Sequence, residues 1–267
     1  MSLKRQLKGI IPGQALGSLS DRFDVIGDIA VLSLPKNLND YRFVIADTII
    51  SSRHNIRTVL NKISVVDGSD RTADFEILAG NNTVTVHNEF GFSYHLDVST
   101  VFYNPRMASE RKRVTDQVCS GERVLVPFCG VGPFVIPAAD HGAMVVAIEQ
   151  NPEACRWLIE NIALNGVGER VTILAGDAFD TSLFPPGVYD RAIIPAPYGK
   201  DSAFDIIAPR VKPGGMIHFY TFSNPDQSDA LGIAFVSRGF KLVVKRRCGN
   251  VAPGISRWVY DLMVKRE

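Results

Sequence analysis

The sequence predicts an α/β protein whose larger part is a mostly parallel sheet covered by helices on both faces. Three observations carry this expectation. After Gly121, short apolar runs alternate with tight turns and helical segments. These runs are apolar at successive rather than alternate positions, as in strands buried on both faces. The last two runs, Lys241–Arg246 and Trp258–Val264, are joined without room for a helix, so an antiparallel hairpin should close one sheet edge.

The parallel strands are expected at Arg123–Pro127, Val145–Glu149, Val171–Leu174, Arg191–Ile194 and Met216–Thr221, preceded by a charged helix over Met107–Cys119. A smaller mixed α/β unit should occupy 1–98, with the larger domain over 99–267. In the smaller unit, Asp28–Leu34 reads as a strand stopped by Pro35, which cannot donate to a ladder. Tyr41, Val44, Ile45, Thr48 and Ile49 fall on one helical face, which predicts a helix over Leu38–Ser51. Thr58–Val65 alternates like a strand. Asp74–Leu78 and Thr83–His87 flank Ala-Gly-Asn-Asn, a hairpin signal, and Gly91–Asp97 is a further strand.

Composition narrows the function classes. Among 267 residues, 29 Lys and Arg against 28 Asp and Glu give a net charge of +1. That excludes a uniformly basic nucleic-acid coat and an acidic disordered chain, but leaves local basic faces open. Cys119, Cys129, Cys155 and Cys248 form no CxxC pair, so neither a metal site nor a disulfide framework is expected, in keeping with a reducing cytoplasm. No apolar run reaches the roughly 18–20 residues that span a bilayer. The opening MSLKRQLKGI is basic without an apolar core, so no secretory signal is expected.

A nucleoside crevice is expected where the first parallel strand ends. That strand runs into Phe128-Cys-Gly-Val-Gly-Pro133, and Gly130 and Gly132 allow a sharp turn and close approach to a ligand. Glu149 ends the second strand, where an acid can accept both ribose hydroxyls. Asn151-Pro152-Glu153 then starts a helix, with Asn as cap. Asp177 ends the third strand, placed to receive an adenine amine. A dinucleotide would want a third glycine beside its pyrophosphate, and Pro133-Phe134 stand there instead. With the antiparallel final hairpin, S-adenosylmethionine is the favoured ligand and hydride transfer with NAD the lesser reading.

At this point the sequence resembles a known family. Asp97-Val-Ser-Thr-Val-Phe-Tyr-Asn-Pro-Arg-Met-Ala-Ser-Glu-Arg111, the loop Gly130–Phe134, Asn151-Pro-Glu-Ala154 and Ala252-Pro-Gly-Ile-Ser-Arg-Trp-Val-Tyr-Asp-Leu262 are similar to the tRNA (guanine-37, N1)-methyltransferases of archaeal and eukaryotic type. The likeness runs from about Asp28 to the C-terminus. It implies a class I S-adenosylmethionine-dependent methyltransferase (Rossmann-like) domain, S-adenosylmethionine as cofactor, tRNA as partner, and neither metal nor membrane. A sister branch transfers the aminocarboxypropyl group of the same cofactor in wybutosine synthesis, and Arg106 within Asn-Pro-Arg favours the methyltransferase branch. Carried over by position, the general base falls on Glu110, with Arg71, Arg106 and Arg111 as substrate arginines. Phe102 lines the methionine end of the cofactor, with Phe128, Gly130, Gly132 and Pro195 also around it. Glu149 takes the ribose and Asp177 the adenine side. Three departures stand out. Pro195-Ala-Pro-Tyr198 replaces the usual Asn-Leu-Pro, Val126 stands where an Asp is common, and the distal tRNA-gripping module of longer members is absent or reduced.

The chemistry fits those residue types. Guanine N1 must lose a proton as a methyl arrives, and a carboxylate is a suitable base. An arginine facing O6 would stabilise the charge developing there. Arg106 and Glu110 are four apart, so on a helix both can face one cleft, although a solvated ion pair has the same spacing. Basic clusters at Arg106/Arg111/Lys112/Arg113, Arg53/His54/Arg57 and Lys245/Arg246/Arg247 are candidate phosphate contacts, and Tyr198 a stacking surface for an extruded base. His54, His87, His95, His141 and His218 show neither metal spacing nor triad partners and read as structural. Cys129 and Cys155 lack a base partner, which argues against nucleophilic catalysis. Trp157 reads as core, on the apolar face of the helix after the second strand with Ala154, Leu158 and Ile162.

Overall fold

The computed structural model describes residues 2–63 and 74–265. The chain divides into two compact units, Met1–Pro105 and Arg106–Glu267.

The first unit contains α1 (Leu3–Gln6), α2 (Gly13–Ser18), β1 (Asp24–Ile26), β2 (Ile29–Leu32), α3 (Arg42–Ser52), β3 (Thr58–Lys62), β4 (Phe75–Ala79), β5 (Val84–Glu89) and β6 (Phe92–Asp97). Strands β1 to β4 form one sheet in chain order, and only β2 and β3 run parallel. A parallel pair needs a crossover, which the 3-10 turn Lys36–Tyr41 and α3 supply. Their apolar side chains, Leu38, Ile45, Ala46 and Ile49, are fully buried with Leu7, Ala30 and Val59. The helix expected from Leu38 therefore begins only at Arg42.

The hairpin expected between β4 and β5 does not form. β4 pairs with β3, and β5 pairs with β6 in a separate two-stranded sheet. The Gly80 turn lies so close to β3 that a Cβ there would come within 2.4 Å of the Arg57 carbonyl oxygen. The actual hairpin turns at Phe90-Gly91, where both residues have positive φ, 48° and 93°. A two-residue turn of this kind demands that backbone, and Phe is a costly residue to place there.

The second unit contains α4 (Ala108–Thr115), β7 (Arg123–Pro127), α5 (Val135–Asp140), β8 (Met144–Glu149), α6 (Pro152–Leu164), β9 (Val171–Ala175), β10 (Tyr189–Pro195), α7 (Ala203–Ile207), β11 (Val211–Ser223), α8 (Pro225–Ser237), β12 (Phe240–Ala252) and β13 (Ile255–Val264). The strands form one seven-stranded sheet in the order β12-β13-β11-β10-β7-β8-β9. Six strands run in one direction, and β13 alone runs against them, pairing antiparallel with both β11 and β12. The chain steps outward from β7 through β8 to β9, then crosses back to β10 on the other side of β7. That reversal opens a crevice at the carboxyl ends of β7 and β10, where α/β sheets bind ligands.

The charged helix is shorter than expected: α4 ends at Thr115, and Arg106 lies before it in a 3-10 turn, Pro105–Met107. Along the outermost strand, β12, the register against β13 shifts three times, between Leu242 and Val244, Arg247 and Gly249, and Asn250 and Ala252. Among the described residues, no helix is long and apolar enough to cross a membrane.

Candidate active site

Local backbone chemistry builds the first half of the site. At the end of β7, Phe128 has φ 54° and Gly130 φ 56°, so the chain reverses sharply. The loop thereby directs the Gly130 N–H at the carboxylate ending β8, and Glu149 Oε2 accepts it at 2.7 Å. Glu149 Oε1 accepts the N–H groups of Gln150 and Asn151 at 3.0 and 2.9 Å. A carboxylate has about four acceptor directions. Three are thus occupied, and one remains, on Oε2. Oε2 is thus the oxygen of Glu149 that keeps acceptor capacity while the loop holds its geometry.

The two glycines have different tasks. Gly132 (φ 98°) turns its hydrogens toward α6, where a Cβ would sit 2.7 Å from Leu158 Cδ1. Its lack of a side chain lets the loop pack closely on the helix. Buried Asn161 on the same helix donates from Nδ2 to the Val131 carbonyl at 3.1 Å and fixes the loop from below. The cap on α6 is as read from the sequence: Asn151 Oδ1 accepts from Glu153 N at 2.9 Å and from Ala154 N at 3.4 Å. Asp177 is exposed after β9, and its Oδ1 accepts the Phe179 N–H at 3.0 Å. The Phe179 ring lies 6.0 Å from that of Phe128, so two aromatic rings stand beside the glycine loop.

Side chains from distant segments build the second half. Glu110 on α4 is 6% exposed. Its Oε1 accepts from Arg113 Nη2 at 2.6 Å, from Arg113 Nε at 3.0 Å and from the Tyr220 hydroxyl at 3.1 Å. Its Oε2 accepts from Arg113 Nε at 3.0 Å and lies 3.7 Å from Arg246 Nη1. Oε2 is the less engaged oxygen and the one with room to take a proton. Tyr220 joins the two halves. It pairs with Pro195 across β10 and β11, its ring packs 5.6 Å from Phe134 at the end of the glycine loop, and its hydroxyl reaches Glu110. Burial, then the Glu110 charge, pushes the Tyr220 phenol well above its ordinary pKa, so it stays a donor.

The remaining expected residues divide. Pro195 ends β10. Tyr198 follows it, 72% exposed, its ring 5.6 Å from Phe222. The Arg257 guanidinium lies over the other ring of that pair, 4.9 Å from the Phe222 centroid. Arg106 is exposed, whereas Arg111 is only 3% exposed and does not belong to an open basic face. Nor do its neighbours: Lys112 pairs with Asp116 at 2.7 Å, and Arg113 is committed to Glu110 and Asp261. The third basic cluster is also partly engaged, Lys245 with Asp229 and Arg247 with Asn250. In the first unit Arg57 lies 3.8 Å from Asp28, and Phe102 is half-buried after β6. Arg71 lies outside the described residues.

Neither buried thiol is favoured as a thiolate. Burial, then the Glu149 charge, pushes Cys129 well up and Cys155 up to about 11. Trp157 is buried, with the Arg156 guanidinium 3.9 Å over its ring. Among the described residues, no group of His, Cys, Asp and Glu is arranged to hold a metal. Sequence reasoning missed Asn161, Tyr220, Phe222 and Arg257, and placed Arg113 in a basic cluster rather than between two acids. Of these, Arg257 stands within a segment already singled out, Ser-Arg-Trp-Val-Tyr-Asp, but its partner could not be read there.

Residues 3–83 match the TYW2 N-terminal domain. The chain is 36% identical over 213 residues to the tRNA (guanine(37)-N(1))-methyltransferase Trm5b of Pyrococcus abyssi, covering 79% of this chain and 63% of that protein. It spans less than two thirds of the length of the curated relatives it matches. A solved complex of aTrm5 with tRNALeu superposes with a TM-score of 0.88 at 27% identity, covering 99% of this chain and 78% of that one. Pyrococcus horikoshii TYW2 in complex with MeSAdo superposes at 0.78 and 29% identity, covering 99% and 98%. Residues 85–249, which hold the glycine loop and both carboxylates, match the TRM5/TYW2 methyltransferase domain, and the chain belongs to that family.

Proposed function

We propose that this protein transfers the methyl group of S-adenosylmethionine to N1 of guanine-37 in tRNA. The observation that carries the reading is the Glu110 carboxylate, buried and clamped, one aromatic ring away from the glycine loop. The residues present fit the nucleoside. Glu149 keeps one acceptor direction for a ribose hydroxyl, Asp177 is exposed on the adenine side, and Phe128 and Phe179 flank the loop. The bound cofactor supplies a methyl group already activated as a sulfonium, so positioning and charge stabilisation are left to the protein.

Glu110 accepts the N1 proton on Oε2, the oxygen with spare acceptor capacity. Arg106 faces the charge that builds on O6. Tyr198, backed by Phe222 and Arg257, presents an exposed ring on which a base taken out of its stack can lie. Labelled S-adenosylmethionine with tRNA carrying G37 or A37 tests the assignment. Labelling of G37 alone is expected, and equal labelling of both, or of neither, removes it.

A second reading is supported by the N-terminal match and by the 98% of the TYW2 chain that is covered. In it, the same crevice serves transfer of the aminocarboxypropyl group. Mass analysis of the nucleoside product separates the two, because the added groups differ greatly in size.

A further inference from the structure

The second unit contains a buried polar chain that the proposed chemistry does not use directly. His218, in the middle of β11, is fully buried and stands opposite Asp261 of β13 in the strand register. Arg191 Nη1 lies 2.7 Å from His218 Nε2, and His218 Nδ1 lies 2.7 Å from Asp261 Oδ1. A guanidinium has donors only. Nε2 must therefore accept, the ring proton sits on Nδ1, and Nδ1–H donates to Asp261. Behind Arg191, Glu122 accepts from its Nε at 2.8 Å and from its Nη2 at 3.0 Å, and the Gln117 carbonyl accepts from Nη2 at 2.7 Å. Ahead, Asp261 Oδ2 accepts from Arg113 Nη1 at 2.6 Å, and Arg113 grips Glu110.

We propose that His218 is a positioning residue for Glu110, acting through Asp261 and Arg113. The inference rests on the reading of Glu110 as proton acceptor. Its physical basis is the order of charges along the chain: Glu122 negative, Arg191 positive, His218 neutral, Asp261 negative, Arg113 positive, Glu110 negative. A proton on Nε2 would set N–H against N–H of Arg191, so the neutral ring is the form that fits. Burial, despite the Asp261 partner, holds His218 below its ordinary pKa, and the nearby Arg191 and Arg113 cations act in the same direction. Burial alone would raise Asp261, but its bonds to His218 and Arg113 bring it down to about 2. Asp261 is thus a fixed anion committed to Arg113. Arg113 is held so that its Nε spans both Glu110 oxygens and leaves Oε2 the freer one. Buried polar chains often add nothing over well-packed apolar residues. One that ends on a candidate base has a reason to persist.

The test uses the full chain, G37 tRNA and labelled S-adenosylmethionine, with His218→Leu, Asp261→Asn and their double variant. Misplacing a reacting group by about 1 Å can cost roughly 100-fold. A kcat loss of about 10- to 100-fold is expected in each single variant, with KM for tRNA and nucleoside affinity unchanged. The double variant should be no slower than the slower single one. His218→Asn, whose amide N–H can replace Nδ1–H, should recover most of the rate. Unchanged kcat, or losses that add in the double variant, overturn the inference. Nitrogen NMR of wild-type His218 covers the case of a variant that does not fold. A neutral Nδ1–H ring persisting well below pH 6.5 is expected, and a ring titrating near its ordinary value of about 6.5 overturns the proposal. Glu110→Gln distinguishes the two levels. Full rate there removes the role of Glu110 and this inference with it. A slow Glu110→Gln beside His218 variants of wild-type rate removes the inference alone.

Discussion

Two carboxylates in the second unit are held in opposite ways. Glu149 is held by three main-chain N–H groups, two from the residues directly after it and one from the loop ending the neighbouring strand. Glu110 is held by side chains: Arg113 one turn further along its own helix, anchored in turn by Asp261, 148 residues further on, and Tyr220, 110 residues away. A main-chain cradle needs only a turn of the right shape. A side-chain clamp needs the whole sheet in register. The first should tolerate change around it, and the second should fail as a unit.

The largest effect is expected at the clamp. Arg113→Met takes from two buried carboxylates, Glu110 and Asp261, the cation they share, leaving Glu110 only the longer contact with Arg246. Breaking a buried pair in this way typically costs about 3–5 kcal/mol, and denaturant unfolding should show a loss on that scale. A loss below about 1 kcal/mol would mean the clamp is not a unit. Glu149→Ala removes an acceptor from three N–H groups and, with it, the proposed ribose partner. Hydrogen bonds to a charged group contribute about 1.5–3 kcal/mol each, so calorimetry should show S-adenosylmethionine affinity reduced roughly 10- to 100-fold. Gly132→Ala is smaller. It meets Leu158 and places a Cβ in left-handed backbone, at about 1–2 kcal/mol of stability.

Acid should act on the clamp. As pH falls below about 6.5, unfolded His218 takes a proton that the folded ring refuses, so stability falls. Between about pH 4 and pH 2, unfolded Asp261 is protonated before the folded one, and stability falls again. Thermal melts from pH 7 to pH 3 should show both losses, and His218→Asn should flatten the first. The smallest effect is expected at Lys112→Ala. Its ion pair with Asp116 is half-exposed, and the change should stay within about 1 kcal/mol.

The same contrast explains what the sequence could reveal. The β7–loop–β8 unit, Glu149 and the Asn151 cap were legible because strand, turn and cap signals lie within a few residues of one another. The closing hairpin was legible for the same reason. The β4–β5 hairpin was misread because Gly80-Asn81-Asn82 says only that the chain turns, whereas the partner of each strand depends on how closely β3 approaches. His218 read as an isolated core histidine because Asp261 becomes its neighbour only through the β11–β13 register. Arg113 looked like one more cation in a basic run, although the fold turns it inward between two acids.

The edge strand β12 has its own consequence. A long strand at the rim of a sheet offers a row of unpaired amides and carbonyls to any passing chain. Here Lys241, Lys245, Arg246 and Arg247 lie along it, and three register shifts break its straight run. Both features make it a poor template for intermolecular strand addition. The rim that carries one of the protein's basic clusters thus also guards it against aggregation.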